Sequence, residues 1–195
     1  MNGNANSEEI VGVLLAAGAS TRFGSDKPMH PLPDGTPVAM AAAASLLPAC
    51  DRVVAVVRVD NGRLADTLAL GGCEIVRCAE AYKGMGHRLA AGVRATSDAA
   101  GWIVVLGDMP FIAISSHQVI AMRLREGASL VATQYRGRRG HPVGFSHRRF
   151  AALSVLTGDH GARTTLAQHS TELLLCTVND DGVLRDIDRL EDVLE

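Results

Sequence analysis

The residues able to do chemistry gather in glycine-marked segments. The first, LLAAGASTRFGSDKP, starts as a strand and turns at Gly18. It then presents Ser20, Thr21, Arg22, Gly24 and Lys27 before proline stops it. Glycine permits close backbone approach, N–H groups can point at phosphate oxygens, and Arg22 and Lys27 neutralise charge, so the segment suits a triphosphate. The same composition also fits an ordinary strand-to-helix turn with solvated cations. Two known phosphate loops fail on spacing. A Walker loop needs lysine directly after its second glycine, whereas Gly24 is followed by Ser25 and Asp26. A dinucleotide fingerprint needs G-x-G-x-x-G, and neither Gly12 nor Gly18 begins one.

Further along, LGDMP closes an apolar run with Asp108, a hard carboxylate of the kind magnesium prefers, although a turn aspartate capping the next helix reads the same way. GMGHRLAAGV opens a helix at Gly84, Met85 and Gly86, whose N–H groups could face a base or a phosphate. GRRGHPVGFS and GDHGAR are glycine-rich and carry Arg138, Arg139 and Arg163 together with His141, a set able to hold an anion. Near the end, VNDDGVLRDIDRLEDVLE carries Asp186 and Asp188, which share a face if the stretch is extended.

These residues must be positioned by strands and helices. IVGVLLA, RVVAVVRV at 52–59 and WIVVLG at 102–107 are short, nearly wholly apolar runs, the pattern of strands buried on both faces. PVAMAAAASLL from Pro37 and HRLAAGVRAT from His87 are helix-compatible stretches between them. The alternation predicts an α/β fold, a three-layer α/β/α arrangement with a mostly parallel, doubly wound sheet. From about Ser129, SLVATQY, PVGFS and LLLCTV read as strands, with RGRRGHP and TGDHGAR as working loops between them. Ligands in such sheets bind beyond the carboxyl ends of the strands.

The 195 residues, 47% of them hydrophobic, suffice for one substantial core. Residues 1–9 read as a frayed tail and 10–195 as a single domain. The formal charge of −2 leaves no global basic field for a nucleic acid or an anionic membrane. Cys50, Cys73, Cys78 and Cys176 lack zinc-site spacing and sit among apolar residues, as reduced buried thiols do. With no signal-peptide pattern and no apolar run of about 20 residues, a soluble, cytoplasmic protein is expected.

The segment Leu15 to Lys27 resembles the LAAGxSxRxGxxK signature of the molybdenum-cofactor nucleotidyltransferases, a branch of the glycosyltransferase-A-like nucleotidyltransferase superfamily with a nucleotide-diphospho-sugar transferase-like fold. GDMP, GHPVGF, GDHGAR and the closing DID at 186–188 resemble further motifs of that family, so the likeness runs from Val11 to about Val193. It implies that Leu15, Ala16, Ala17 and Gly18 lie beside the base, that Arg22 and Lys27 contact the NTP phosphates, and that Gly84, Met85 and Gly86 help read the nucleobase. It implies Mg2+ on Asp108 and Asp188, with Asp186 the alternative second ligand, and an acceptor near His141, Asp159 and Arg163.

Ala17 makes an Ala-Ala-Gly segment, which is similar to the cytidylyl members and favours CTP over GTP. The departures are Arg88, where many members have serine, and Arg189-Leu190, where Thr-Pro is usual. The activity implied is transfer of CMP from CTP to a phosphorylated acceptor, molybdopterin or the molybdenum cofactor, with pyrophosphate leaving. A molybdoenzyme or its chaperone is the candidate protein partner. Other readings from the sequence are a transferase with guanine specificity or a different acceptor, a nicotinamide-dependent oxidoreductase on a similar fold, and a non-catalytic nucleotide-binding partner.

Overall fold

Ile10–Leu15 (β1) is six consecutive buried residues, so it requires a strand on each side and cover on both faces. It has both in the computed structural model, which describes residues 8–18, 23, 26–159 and 161–193. β1 pairs in parallel with Arg52–Arg58 (β2) and with Gly101–Leu106 (β4), and β2 pairs in parallel with Glu74–Cys78 (β3). Beyond β4 lie Arg138–Ser146 (β6), antiparallel to it, then Leu130–Tyr135 (β5) and Leu173–Thr177 (β7), giving a sheet in the order β3-β2-β1-β4-β6-β5-β7. The fold is α/β and the sheet mostly parallel, as the pattern of apolar runs predicts.

Alternating side chains divide the core. Ile10 and Leu14 point towards Val38–Leu46 (α1), Gly62–Leu70 (α2) and Ile114–Arg125 (α4), packing with Leu46, Leu68 and Ile120. Val11, Val13 and Leu15 point the other way, towards Met85–Ala95 (α3), Phe150–Leu153 (α5) and Arg163–Gln168 (α6), packing with Leu89, Val93, Leu153 and Leu166. Helices on both faces make the expected three layers. Among the described residues no helix is long and apolar enough to cross a membrane.

One expected loop is a strand. RGRRGHP reads as a loop because of its glycines, yet the ladder runs through it, with Gln134 opposite Arg139 and Tyr135 opposite Arg138. The turn instead falls at Arg136 and Gly137, both at positive φ (48° and 78°), the backbone a two-residue hairpin turn demands. Residues 1–7 of the expected tail lie outside the described residues. Glu9 is anchored: its carbonyl accepts from the Ala100 N–H and its carboxylate from Arg52. Burial pushes the Cys50 thiol up to about 12 and that of Cys73 to about 11, so both are protonated at neutral pH.

Candidate active site

Parallel strands deliver their last residues to one edge of the sheet, and three separate chain segments meet there. At the end of β4 the Gly107 N–H donates to the Leu15 carbonyl, which sets Asp108 just past the strand end. The Ile187 N–H donates to the Asp108 carbonyl at 2.8 Å and docks the C-terminal segment on that turn. Lys27, only 12% exposed, closes the junction: its ammonium donates to Asp108 Oδ2 at 2.7 Å and to the Ile187 carbonyl at 2.6 Å, and stands 3.8 Å from Asp188 Oδ1. Asp188 is held in turn, because its N–H and that of Arg189 both donate to Asp192 Oδ2. Those backbone bonds keep the Asp192 carboxyl below its usual range.

Asp108 and Asp188 thus converge on one cation. Among the described residues no group of three or more His, Cys, Asp or Glu forms a metal cage. A pair of carboxylates with oxygen left for substrate phosphates is nevertheless the donor set magnesium and similar hard ions use, so the residues present fit such an ion.

Two cavities open at the same edge. The larger, about 360 Å³, has an apolar floor that includes Leu15, Leu89, Val104 and Phe145, with Arg138, Arg139, His141, Arg163 and Asp186 among its polar lining. Burial raises the Asp186 carboxyl, and the nearby Asp188 and Asp108 charges push it the same way. Burial lowers the His141 imidazole, against a hydrogen bond with the Val104 backbone and the Asp108 charge. His141 Nδ1 is buried with no partner among the described residues.

The second cavity, about 320 Å³, lies past the ends of β1, β2 and β3 and is lined by Ala17, Arg58, Asp60, Cys78, Tyr82 and Arg88 among others. Arg58 and Asp60 satisfy each other: Arg58 Nε donates to Oδ1 at 2.8 Å and Nη2 donates to Oδ2, holding the Asp60 carboxyl below its usual range.

Of the residues expected from sequence, Lys27, Asp108 and Asp188 come together, and His141 and Arg163 share the larger cavity with Leu15 and Met85. Arg22 lies outside the described residues. Ala16 and Ala17 are buried behind Gly18, with Ala17 on the wall of the smaller cavity. Gly84 and Gly86 instead meet the loop at 157–159: the Gly86 N–H donates to the Gly158 carbonyl at 2.7 Å, and the Gly158 N–H donates to His87 Nδ1. A Cβ on Gly86 would stand 2.5 Å from the Thr157 oxygen, and one on Gly84, at φ +120°, would stand 2.5 Å from Asp159 Oδ1. Asp159 therefore packs on Gly84, and it is absent from the lining of the larger cavity. Arg58, Asp60 and Tyr82 were not singled out from sequence. The available signal was their position, at or within a few residues of the ends of the strands at 52–58 and 74–78.

A lysine clasped by two aspartates thus stands at the carboxyl edge of an α/β sheet, beside two ligand-sized cavities. The chain belongs to the MobA-like NTP transferase domain family, whose profile matches residues 12–173. It is 28% identical over 193 residues to the purine catabolism protein PucB of Bacillus subtilis (strain 168), covering 94% of this chain and 93% of that protein. It is 30% identical over 191 residues to the nicotine blue oxidoreductase of Paenarthrobacter nicotinovorans, covering 93% of each. Among solved structures, Rv0371c from Mycobacterium tuberculosis H37Rv superposes with a TM-score of 0.78 at 26% identity, covering 95% of both chains. The same protein has also been solved in complex with manganese, with a TM-score of 0.72 at 24% identity over 88% of this chain and 89% of that one.

Proposed function

We propose that the chain transfers CMP from CTP to a phosphorylated acceptor of the molybdopterin type, releasing pyrophosphate, with Mg2+ held by Asp108 and Asp188. The observation that carries this reading is the seat of Lys27. A cation already sits between the two carboxylates, at the mouth of the sheet, where the charge of a bound triphosphate must be neutralised.

In this reading an acceptor phosphate oxygen attacks the α-phosphorus in line. The new P–O bond forms as the bond to the β-phosphate oxygen breaks, and that electron pair leaves with pyrophosphate. The chemistry depends on alignment and charge stabilisation rather than on a covalent enzyme intermediate. A bound divalent ion supplies Lewis-acid neutralisation of phosphate charge. Lys27, together with Arg22, holds the phosphate chain. Arg138, Arg139 and Arg163 hold the anionic acceptor, His141 offers its neutral ring to one hydrogen bond, and the apolar floor keeps water away from the reacting phosphate.

The test supplies ATP, CTP, GTP and UTP separately, with Mg2+ and a molybdopterin-type cofactor, and measures pyrophosphate. CTP is expected to react fastest. Preference for GTP would overturn the inference from Ala17, and binding of an NTP without turnover would overturn the acceptor.

A second reading has one observation in its favour: the relative at 30% identity is named as an oxidoreductase. Against it stands the lack of a G-x-G-x-x-G fingerprint after β1. NADPH and an NTP with Mg2+ compete directly in a thermal-shift assay, because whichever binds the native state raises its melting temperature. A shift with NADPH alone would favour the oxidoreductase.

A further inference from the structure

Arg88 lines the smaller cavity without a carboxylate in ion-pair contact among the described residues, burial working against its charge and the more distant Asp159 carboxylate favouring it. It stands in the first turn of α3, half-buried, and its Nε donates to the Ala81 carbonyl at 2.8 Å. That bond fixes the plane of the guanidinium. Its two terminal nitrogens make no hydrogen bond to any described residue, and no carboxylate among the described residues lies within ion-pair distance. They face the cavity, with Nη1 standing 4.0 Å from where a Cβ on Gly18 would be. The neighbouring Arg58 differs, since Asp60 takes up its guanidinium. Nearby, the Tyr82 ring is 80% exposed on the same cavity wall; the Lys83 ammonium stands 5.9 Å from its centroid, and no aromatic ring stacks on it among the described residues.

A desolvated fork of two parallel N–H donors is complementary to two adjacent acceptors. Cytosine offers such a pair at O2 and N3, and guanine at O6 and N7. Uracil places an N3–H donor between its two carbonyls, and adenine places its amino group beside N1 and N7, so each sets a donor against the fork. An unmatched donor in a half-buried site costs affinity because it leaves its partner unpaired.

We propose that Arg88 reads the nucleobase edge, selecting a base with two adjacent hydrogen-bond acceptors, while the exposed ring of Tyr82 supplies a stacking face. The inference rests on the nucleotidyltransferase reading and adds to it the residue that sets base choice.

The experiment measures dissociation constants of CTP, GTP, UTP and ATP, each with Mg2+, for the wild-type chain, Arg88→Lys and Arg88→Met, after circular dichroism has confirmed that the variants are folded. Wild type should hold CTP or GTP about 10- to 100-fold more tightly than UTP and ATP. Comparing CTP with GTP decides which acceptor pair is read. Both variants should lose that discrimination, with UTP and ATP binding nearly unchanged. Lysine keeps the charge and loses the fork, so retained discrimination in Arg88→Lys overturns the proposal. Equal weakening of all four nucleotides in Arg88→Met, rescued in Arg88→Lys, makes Arg88 a phosphate contact and also overturns it. A wild-type chain that binds none of the four removes the nucleotidyltransferase reading itself, and the base reader with it.

Discussion

Lys27 Nζ lies 2.7 Å from Asp108 Oδ2, a contact joining positions 81 residues apart and anchored from a third direction by the Ile187 carbonyl. In the proposed function a divalent ion shares Asp108 and Asp188, and the ammonium already stands between them, so the two cations would compete for the same oxygens. Binding of a metal–nucleotide complex therefore requires Lys27 to exchange carboxylate for phosphate.

The competition gives Lys27→Met an effect of opposite sign on two ligands. Manganese alone should bind the variant more tightly than wild type, because no resident charge is displaced. The metal–NTP complex should bind more weakly by about 1.5–3 kcal/mol, the usual cost of a lost charged hydrogen bond. Titration calorimetry with and without nucleotide checks both signs. Unchanged affinity for both ligands would place Lys27 outside the site.

Asp108→Asn keeps the shape of the side chain and loses its charge, so the protein should fold and its transfer rate should fall on the order of 100-fold or more. Asp188→Asn should act in the same direction. Asp186→Asn should instead raise the KM for the acceptor, since Asp186 lines the larger cavity. Rates measured at limiting Mg2+ separate the three. A large loss at Asp186 that excess Mg2+ rescues would make it the second metal ligand in place of Asp188.

His117 should make stability depend on acidity. Its ring is fully buried, with Nε2 3.1 Å from Ser45 Oγ and Nδ1 unpartnered among the described residues. Burial drives it from its ordinary 6.5 down to about 4, against the opposing pull of Asp180. Between those values the unfolded chain binds a proton that the fold refuses. Stability is therefore intact above pH 6.5 and is lost as the pH falls towards 4, by about 3 kcal/mol at most. Urea unfolding midpoints at pH 7 and pH 5 measure the slope, which His117→Gln should flatten. An unchanged slope would assign acid sensitivity to other groups.

Gly86→Ala should unseat the 157–159 loop, because the new methyl would meet the Thr157 carbonyl at 2.5 Å and backbone there must move. A cost of about 1–3 kcal/mol is expected, together with faster proteolytic cleavage near Gly158. Wild-type resistance to protease would show that the loop relaxes freely.

What could be read from sequence follows a physical divide. Asp108 was legible because a fully apolar run such as WIVVLG must be an interior parallel strand, and such a strand ends at the ligand edge. Lys27 was legible through a spaced motif. Arg58, Asp60 and Tyr82 were not, because they acquire a common cavity only once β1, β2 and β3 are neighbours, and neighbour order is a long-range property. Arg138 and Arg139 were misassigned to a loop, since glycines that weaken a strand by propensity were overruled by pairing with β5. The choice between Asp186 and Asp188 was open for the same kind of reason. Alternation decides facing only in an extended strand, whereas Asp186 to Asp188 run as irregular chain docked on the Asp108 turn.

The docking of Ile187 on Asp108 also separates the assembly of the sheet from the closing of the site. All the strands of the sheet lie before Val178, so the sheet can pair and layer with the segment bearing Ile187 and Asp188 still undocked. At that stage Lys27 lacks its carbonyl partner and Asp108 lacks the strap across its backbone. A chain can thus be fully layered while the junction of Lys27, Asp108 and Asp188 is still open, and that junction closes in one step when the segment around Ile187 folds over the end of β4.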